Sequence, residues 1–177
     1  MDRMWRVIVI ASILAGSVWP RQGAGAVLTV RIVPTSFSEK GGRTLSLEDS
    51  SQHFYVVITN VSDRTVRLWR GSCSWGYSNL SFVVTGENGK HATAAKKAKG
   101  WQKNYADWTL VPPGDHLISE VTLDEETWSN TPIPPRGQHR TVSLRAVYKV
   151  PETKEASEND VWVGTESSPD ETYTIYR

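Results

Sequence analysis

The stretch RTVSLRAVYKV, residues 140–150, places Val142, Leu144, Ala146, Tyr148 and Val150 at every second position, with Ser143, Arg145 and Lys149 among the residues between them. Successive side chains of an extended chain point to opposite faces, so this spacing buries one face of a strand and leaves the other in water. The same period recurs outward from it. VLTVRIV from Val27 sets Leu28, Val30 and Ile32 on one face, and TVRLWR (65–70) alternates Val66 and Leu68 with Arg67 and Trp69. NLSFVVT (79–85) aligns Leu80, Phe82 and Val84. TLVPPGDHLISEVTL (109–123) reads as strand, Pro-Pro-Gly turn and strand, with Leu117, Val121 and Leu123 together, and ETYTIYR (171–177) reads as a last strand. HFYVVITN (53–60) is apolar on both faces, as expected of a strand in the middle of a sheet.

The connections carry turn chemistry. In NVSDR (60–64), Asn60, Ser62 and Asp63 can bond their own backbone, and Asn88-Gly89 in GENGK (86–90) is a strong hairpin signal. No run of ten or more residues holds a helical period. ATAAKKAK (92–99) is compatible with one short helix, and DEETW (124–128) with a single turn. The polar, acidic PETKEASEND (151–160) reads as a mobile loop, and TPIPPRG (131–137) as a Pro-rich connector inside the domain. The expectation is an all-β, antiparallel, immunoglobulin-like β-sandwich of about seven to eight strands with at most one short helix. A barrel is the alternative.

The first 26 residues carry Arg3 and Arg6, an apolar run from Val7 to Trp19, and the small residues Ala24-Gly25-Ala26. That pattern predicts a signal peptide cleaved after Ala26, and hence a secreted or periplasmic chain. No later segment approaches the length of apolar run that spans a bilayer, so no transmembrane segment is expected in the mature chain. About 150 residues remain, which fits one domain, 27–177. Removing the leader takes three Arg and one Asp from totals of 20 and 19, which leaves 17 basic and 18 acidic residues. This balance implies no nucleic-acid partner. Cys73 is the one cysteine, so no internal disulfide can form and stability must come from packing.

GSCSW (71–75) resembles the neighbourhood of a cysteine nucleophile only loosely, because Ser74 separates Cys73 from Trp75 and a strand pattern follows where a helix would be required. Ser72 and Ser74 also miss the spacing of a nucleophile elbow between Gly71 and Gly76. Cys73 is therefore expected to be a small buried hydrophobe beside Trp69 or Trp75. His53, His91, His116 and His139 are far apart and form no metal-ligand spacing, and no Gly-rich loop precedes a helix. No catalytic residue, metal or cofactor is expected.

Six tryptophans remain after the leader, and Trp69, Trp75, Trp101, Trp108 and Trp128 fall at strand ends or in connections. They serve either as core plugs or as a platform for sugar rings. The segment from Lys90 to Trp108 holds Lys96, Lys97, Lys99 and Lys103 beside Trp101, Tyr105 and Trp108, with no acidic residue between Glu87 and Asp107. Those seven residues are the candidate ligand-binding set, suited to an anionic polymer. They can equally guard a strand edge, or be neutralised by the acidic stretch 151–160.

VVITNVSDRTVRLW, LSFVVTGENGK and LVPPGDHLISEVTL, in that order, resemble a pattern of bacterial immunoglobulin-like domains, and the bacterial intracellular proteinase inhibitor domain is similar over Phe54 to Leu123. The segment GSCSWGY resembles uncharacterised exported bacterial proteins. These resemblances imply a fold and a compartment, and they supply no catalytic residue. The functional expectation is an exported, non-catalytic binding module for a protein or glycan. Its alternatives are an inhibitor-like or chaperone-like partner of an extracytoplasmic enzyme, and a carbohydrate binder using surface tryptophans. An inhibitor would present a rigid exposed loop such as TPIPPRG.

Overall fold

The computed structural model describes residues 26–47 and 53–177. Apart from Ala26, the expected leader lies outside the described residues. In chain order, β1 (Leu28–Val33) is followed by the short pieces β2 (Ser36–Phe37) and β3 (Arg43–Ser46), then by β4 (Phe54–Asn60) and β5 (Val66–Trp69). A four-residue helical turn, α1 (Ser74–Tyr77), leads to β6 (Leu80–Gly86), β7 (His91–Lys96), β8 (Trp108–Val111) and β9 (His116–Val121). The chain closes through β10 (Trp128–Ser129), β11 (His139–Val150), α2 (Lys154–Glu158), β12 (Gly164–Ser167) and β13 (Glu171–Tyr176).

These strands form an all-β, sandwich-like fold. One sheet has the order β1-β4-β9, and the larger one runs β10-β7-β6-β11-β13-β3-β2, with β12 on β11. A separate ribbon, β5-β8, continues the pairing of β4 with β9 beyond a break on both chains. β11 is the long strand of the larger sheet. Its first half pairs with β13 and its second with β12, and the changeover is sealed by buried Ser168, whose hydroxyl accepts from the Ala146 N–H at 2.9 Å. The alternating residues of 140–150 all turn inward, and Leu144 and Ala146 are fully buried. Between the layers, Phe54 meets Phe82 edge-on with ring centroids 5.6 Å apart, and Phe82 meets Trp128 at 5.4 Å.

Thirteen strands and two short helices are found among the described residues, against the expected seven or eight strands and at most one helix. The eight runs read as strands are all present as β1, β4, β5, β6, β8, β9, β11 and β13. Of the additional strands, β2 and β10 have two residues each, too few to show a period. β7 is a correction, since the Ala-rich segment reads as compatible with one short helix. The Asn88-Gly89 turn, with Gly89 at φ 72°, folds it back onto β6 in register Thr85↔His91, and Ala94 is wholly buried. Tertiary pairing thus overrides the intrinsic helix preference of alanine. α2 is a second correction, because the stretch read as a mobile loop is a capped, packed turn of helix. The Thr153 hydroxyl accepts from the Ala156 N–H, Ala156 is fully buried, and Arg67 donates to the Asn159 carbonyl at 2.8 Å. One contact in the larger sheet, β13 with β3, is parallel. The chain leaves β3 for the other sheet, so no hairpin fixes the direction of that pairing.

Candidate functional site: an aromatic and lysine cleft

After β5 the chain turns a corner at GSCSW. Cys73 is buried, its thiol directed at the carbonyls of Arg70 (3.3 Å) and Asp107 (3.4 Å), while Trp69 and Trp75 stack with centroids 5.7 Å apart. The segment before β8 ties the corner from outside. Ser72 donates to Asp107 at 2.5 Å, and the Asn104 side chain accepts from the Ser74 N–H and donates to its hydroxyl. Gly76 is required here by space, because a Cβ would overlap the Arg70 carbonyl and press on Trp69. The corner is thus a packed end of the fold, and its outcome is the placement of Tyr77.

Two ammonium groups share the Tyr77 ring. Lys96 Nζ lies 4.6 Å from its centroid and Lys99 Nζ 5.7 Å. Lys96 also reaches Trp128 at 5.6 Å, and Lys99 reaches Trp101 at 5.1 Å, with Trp101 edge-on to Tyr77. Burial, with a smaller contribution from the Lys99 charge, holds the Lys96 ammonium below the usual lysine range. Among the described residues no carboxylate lies within ion-pair distance of either lysine. Beside them opens a cleft of about 290 Å³ between the two sheets, walled by Tyr77, Lys96, Trp128 and Tyr148 on one side and by Leu117–Val121 of β9 on the other. Burial keeps the Tyr148 hydroxyl well above the ordinary phenol range, so it remains a protonated donor.

The structure brings together three of the seven expected residues, Lys96, Lys99 and Trp101. Lys97, just beyond the end of β7, instead donates to the Glu125 carbonyl at 2.6 Å. Trp108 lies under the Arg67 guanidinium at 4.5 Å and pairs with Trp69 across β5-β8, and Tyr105 and Lys103 stand exposed in the connection. The acidic stretch 151–160 pairs within itself through Lys154 and Glu158. Tyr77 and Trp128 complete the site and were not in the expected set. Tyr77 lies in the corner sequence rather than the lysine segment, so only the β10 pairing Trp128↔Lys96 and the α1 turn bring them together.

Trp69 and Trp128 are core plugs, and Trp75, Trp101, Trp108 and Trp162 are half-buried, so none of these six tryptophans of the described residues stands fully exposed. In the connector 131–137, Pro132 and Pro134 are buried and Pro135 to Gly137 are exposed. Among the described residues no three metal-ligating side chains converge. No family model matches the chain, and no curated protein or solved structure matches it.

Proposed function

We propose that this chain is an exported, non-catalytic binding module of immunoglobulin-like type that holds an acidic group of a protein or glycan partner between Lys96, Lys99 and the rings of Tyr77, Trp101 and Trp128. The observation that carries the reading is the pair of ammonium groups over one tyrosine ring, neither of which has an ion-pair partner among the described residues. Two like charges, one half-buried and one exposed, repel, and an incoming anion screens the repulsion and offsets the desolvation penalty of Lys96. The aromatic rings pre-position the ammonium groups, so less side-chain entropy is lost on binding. The leader-like first 26 residues support export.

The test is a titration with a polyuronate and with a neutral glycan of similar length, each at two salt concentrations. Binding of the acidic polymer should weaken with salt, and Lys96→Gln or Lys99→Gln should each cost about tenfold, the scale of one charge-assisted contact. Trp101→Ala should weaken it further. Salt-independent binding, or equal affinity for the neutral glycan, overturns the reading.

A further inference from the structure

From the edge of β9 and the cleft beside it, we infer that the partner is a polypeptide, and that an extended, acid-bearing segment of it adds to β9 as a further strand. This rests on the reading of the lysine cleft given above and adds the class of ligand. β9 pairs with β4 on one side, and among the described residues no strand covers the other. Every second N–H and C=O on that side therefore points away from the sheet.

Edge strands are usually blunted by lysine, proline or a bulge. β9, HLISEV, carries no lysine, proline or bulge, has Glu120 as its one carboxylate, and exposes Ile118 at 59%. The layer beneath it is also incomplete. Val56 and Ile58 on β4 are fully buried, while Ser119 and Leu117, opposite them in register and on the same face, are only half-buried. All five residues Leu117–Val121 line the cleft, across from Trp128 and Lys96. A strand laid on this edge would hydrogen-bond through its main chain and send alternate side chains into the cleft. An apolar one meets Trp128 and Leu117. The next inward position meets Lys96, and the uncompensated charge of Lys96 and Lys99 selects a carboxylate there. Glu120 lines the same cleft and sits 3.7 Å from the His53 ring, so the complementarity is directed at the lysine end.

The test uses the purified chain and a short peptide alternating threonine and valine around one central glutamate. Its comparisons are the same peptide with glutamine in place of the glutamate, the same peptide N-methylated at alternate backbone nitrogens, and a polyuronate. The acidic peptide should bind and slow hydrogen exchange of the outward amides of Leu117–Val121. N-methylation, which keeps every charge and removes the main-chain donors, should weaken binding by at least about tenfold, as should the glutamine replacement. Equal binding of the N-methylated peptide, or unchanged exchange in β9, overturns strand addition. If the peptides and the polyuronate then still depend on Lys96, the acidic-group reading survives alone. A concentration-dependent dimer that protects the same amides without peptide assigns the edge to a second copy and also overturns the proposal.

Discussion

The side-chain amide of Asn60 donates to the carbonyl of Val111 at 2.8 Å, joining the two points where the β4-β9 ladder stops and the β5-β8 ribbon begins. The same amide donates to the Arg64 carbonyl at 2.7 Å, and its oxygen accepts from the Ser62 N–H and hydroxyl. Asn60 is fully buried, and its main chain bonds Asp115 and Gly114 of the Pro-Pro-Gly turn, where Gly114 takes φ 80°. Truncation strands the buried Val111 carbonyl and removes the acceptor of the Ser62 N–H, while the Ser62 hydroxyl keeps the Arg64 carbonyl at 3.1 Å. Asn60→Ala should therefore lower stability by about 1–3 kcal/mol, measured by urea unfolding. Asn60→Asp should cost as much at neutral pH, because a carboxylate would face two carbonyl oxygens. It should recover in acid, where the protonated group can donate to one of them.

Gly76→Ala should be nearly as damaging, although the site is at the surface end of the fold. The added methyl has no free space against the Arg70 carbonyl, so the α1 turn must open and Tyr77 must move. A loss of about 1–3 kcal/mol is expected, together with a change in near-ultraviolet circular dichroism from the displaced Tyr77–Trp101 pair. Unchanged stability would mean that the corner is softer than its packing implies.

Most of the eight strand runs were legible because burial on one face imposes a period of two on the sequence itself, and β4 because a strand in the middle of a sheet is apolar on both faces. The turns at 60–64 and 86–90 were legible because asparagine and glycine act locally. β7 was not, because its alanines become a strand only through pairing with β6 across the Asn88-Gly89 turn. α2 was hidden by its charge, since Ala156 is its one buried residue and it is short. The site was half legible. Lys96, Lys99 and Trp101 share a segment, whereas Tyr77 and Trp128 reach them from opposite directions in the chain, a proximity that exists only in the folded sheet.

Cys73 should resist thiol reagents in the native chain and react quickly in denaturant. Its sulfur is buried in the corner, where the thiol is directed at two carbonyl oxygens and a reagent cannot reach it without local opening. Rapid native labelling would place the thiol at the surface and reopen the nucleophile reading.

Asp124 ties the single turn before β10. Its carboxylate accepts from the Thr127 N–H at 2.6 Å and the Thr122 hydroxyl at 2.7 Å. Desolvation alone would raise its pKa, but these hydrogen bonds outweigh it and hold the carboxyl below the ordinary range. A depressed carboxyl contributes stability above the ordinary carboxylate pKa, and that contribution is lost as pH falls through the depressed value. Asp124→Asn should therefore flatten the acid limb of the stability profile, followed by thermal unfolding at a series of pH values. An unaltered acid limb would show that this carboxyl does not contribute.

Lys96 separates binding from stability. Its pKa is lowered chiefly by burial, so the fold disfavours the charged form, and the penalty is full below the depressed value and fades as pH rises through it toward the ordinary lysine range. Replacing the ammonium by an apolar group of similar length removes that penalty at neutral pH. Methionine also keeps contact with the Tyr77 and Trp128 rings through its sulfur, which offsets the lost cation–π attraction. Lys96→Met should therefore leave the Tm unchanged or raise it, and should abolish the alkaline rise in stability shown by the parent chain. The same variant should bind a polyuronate about tenfold more weakly. A variant that loses stability and binding together would make Lys96 a structural residue, whereas one that gains stability and loses binding identifies a charge kept for a partner.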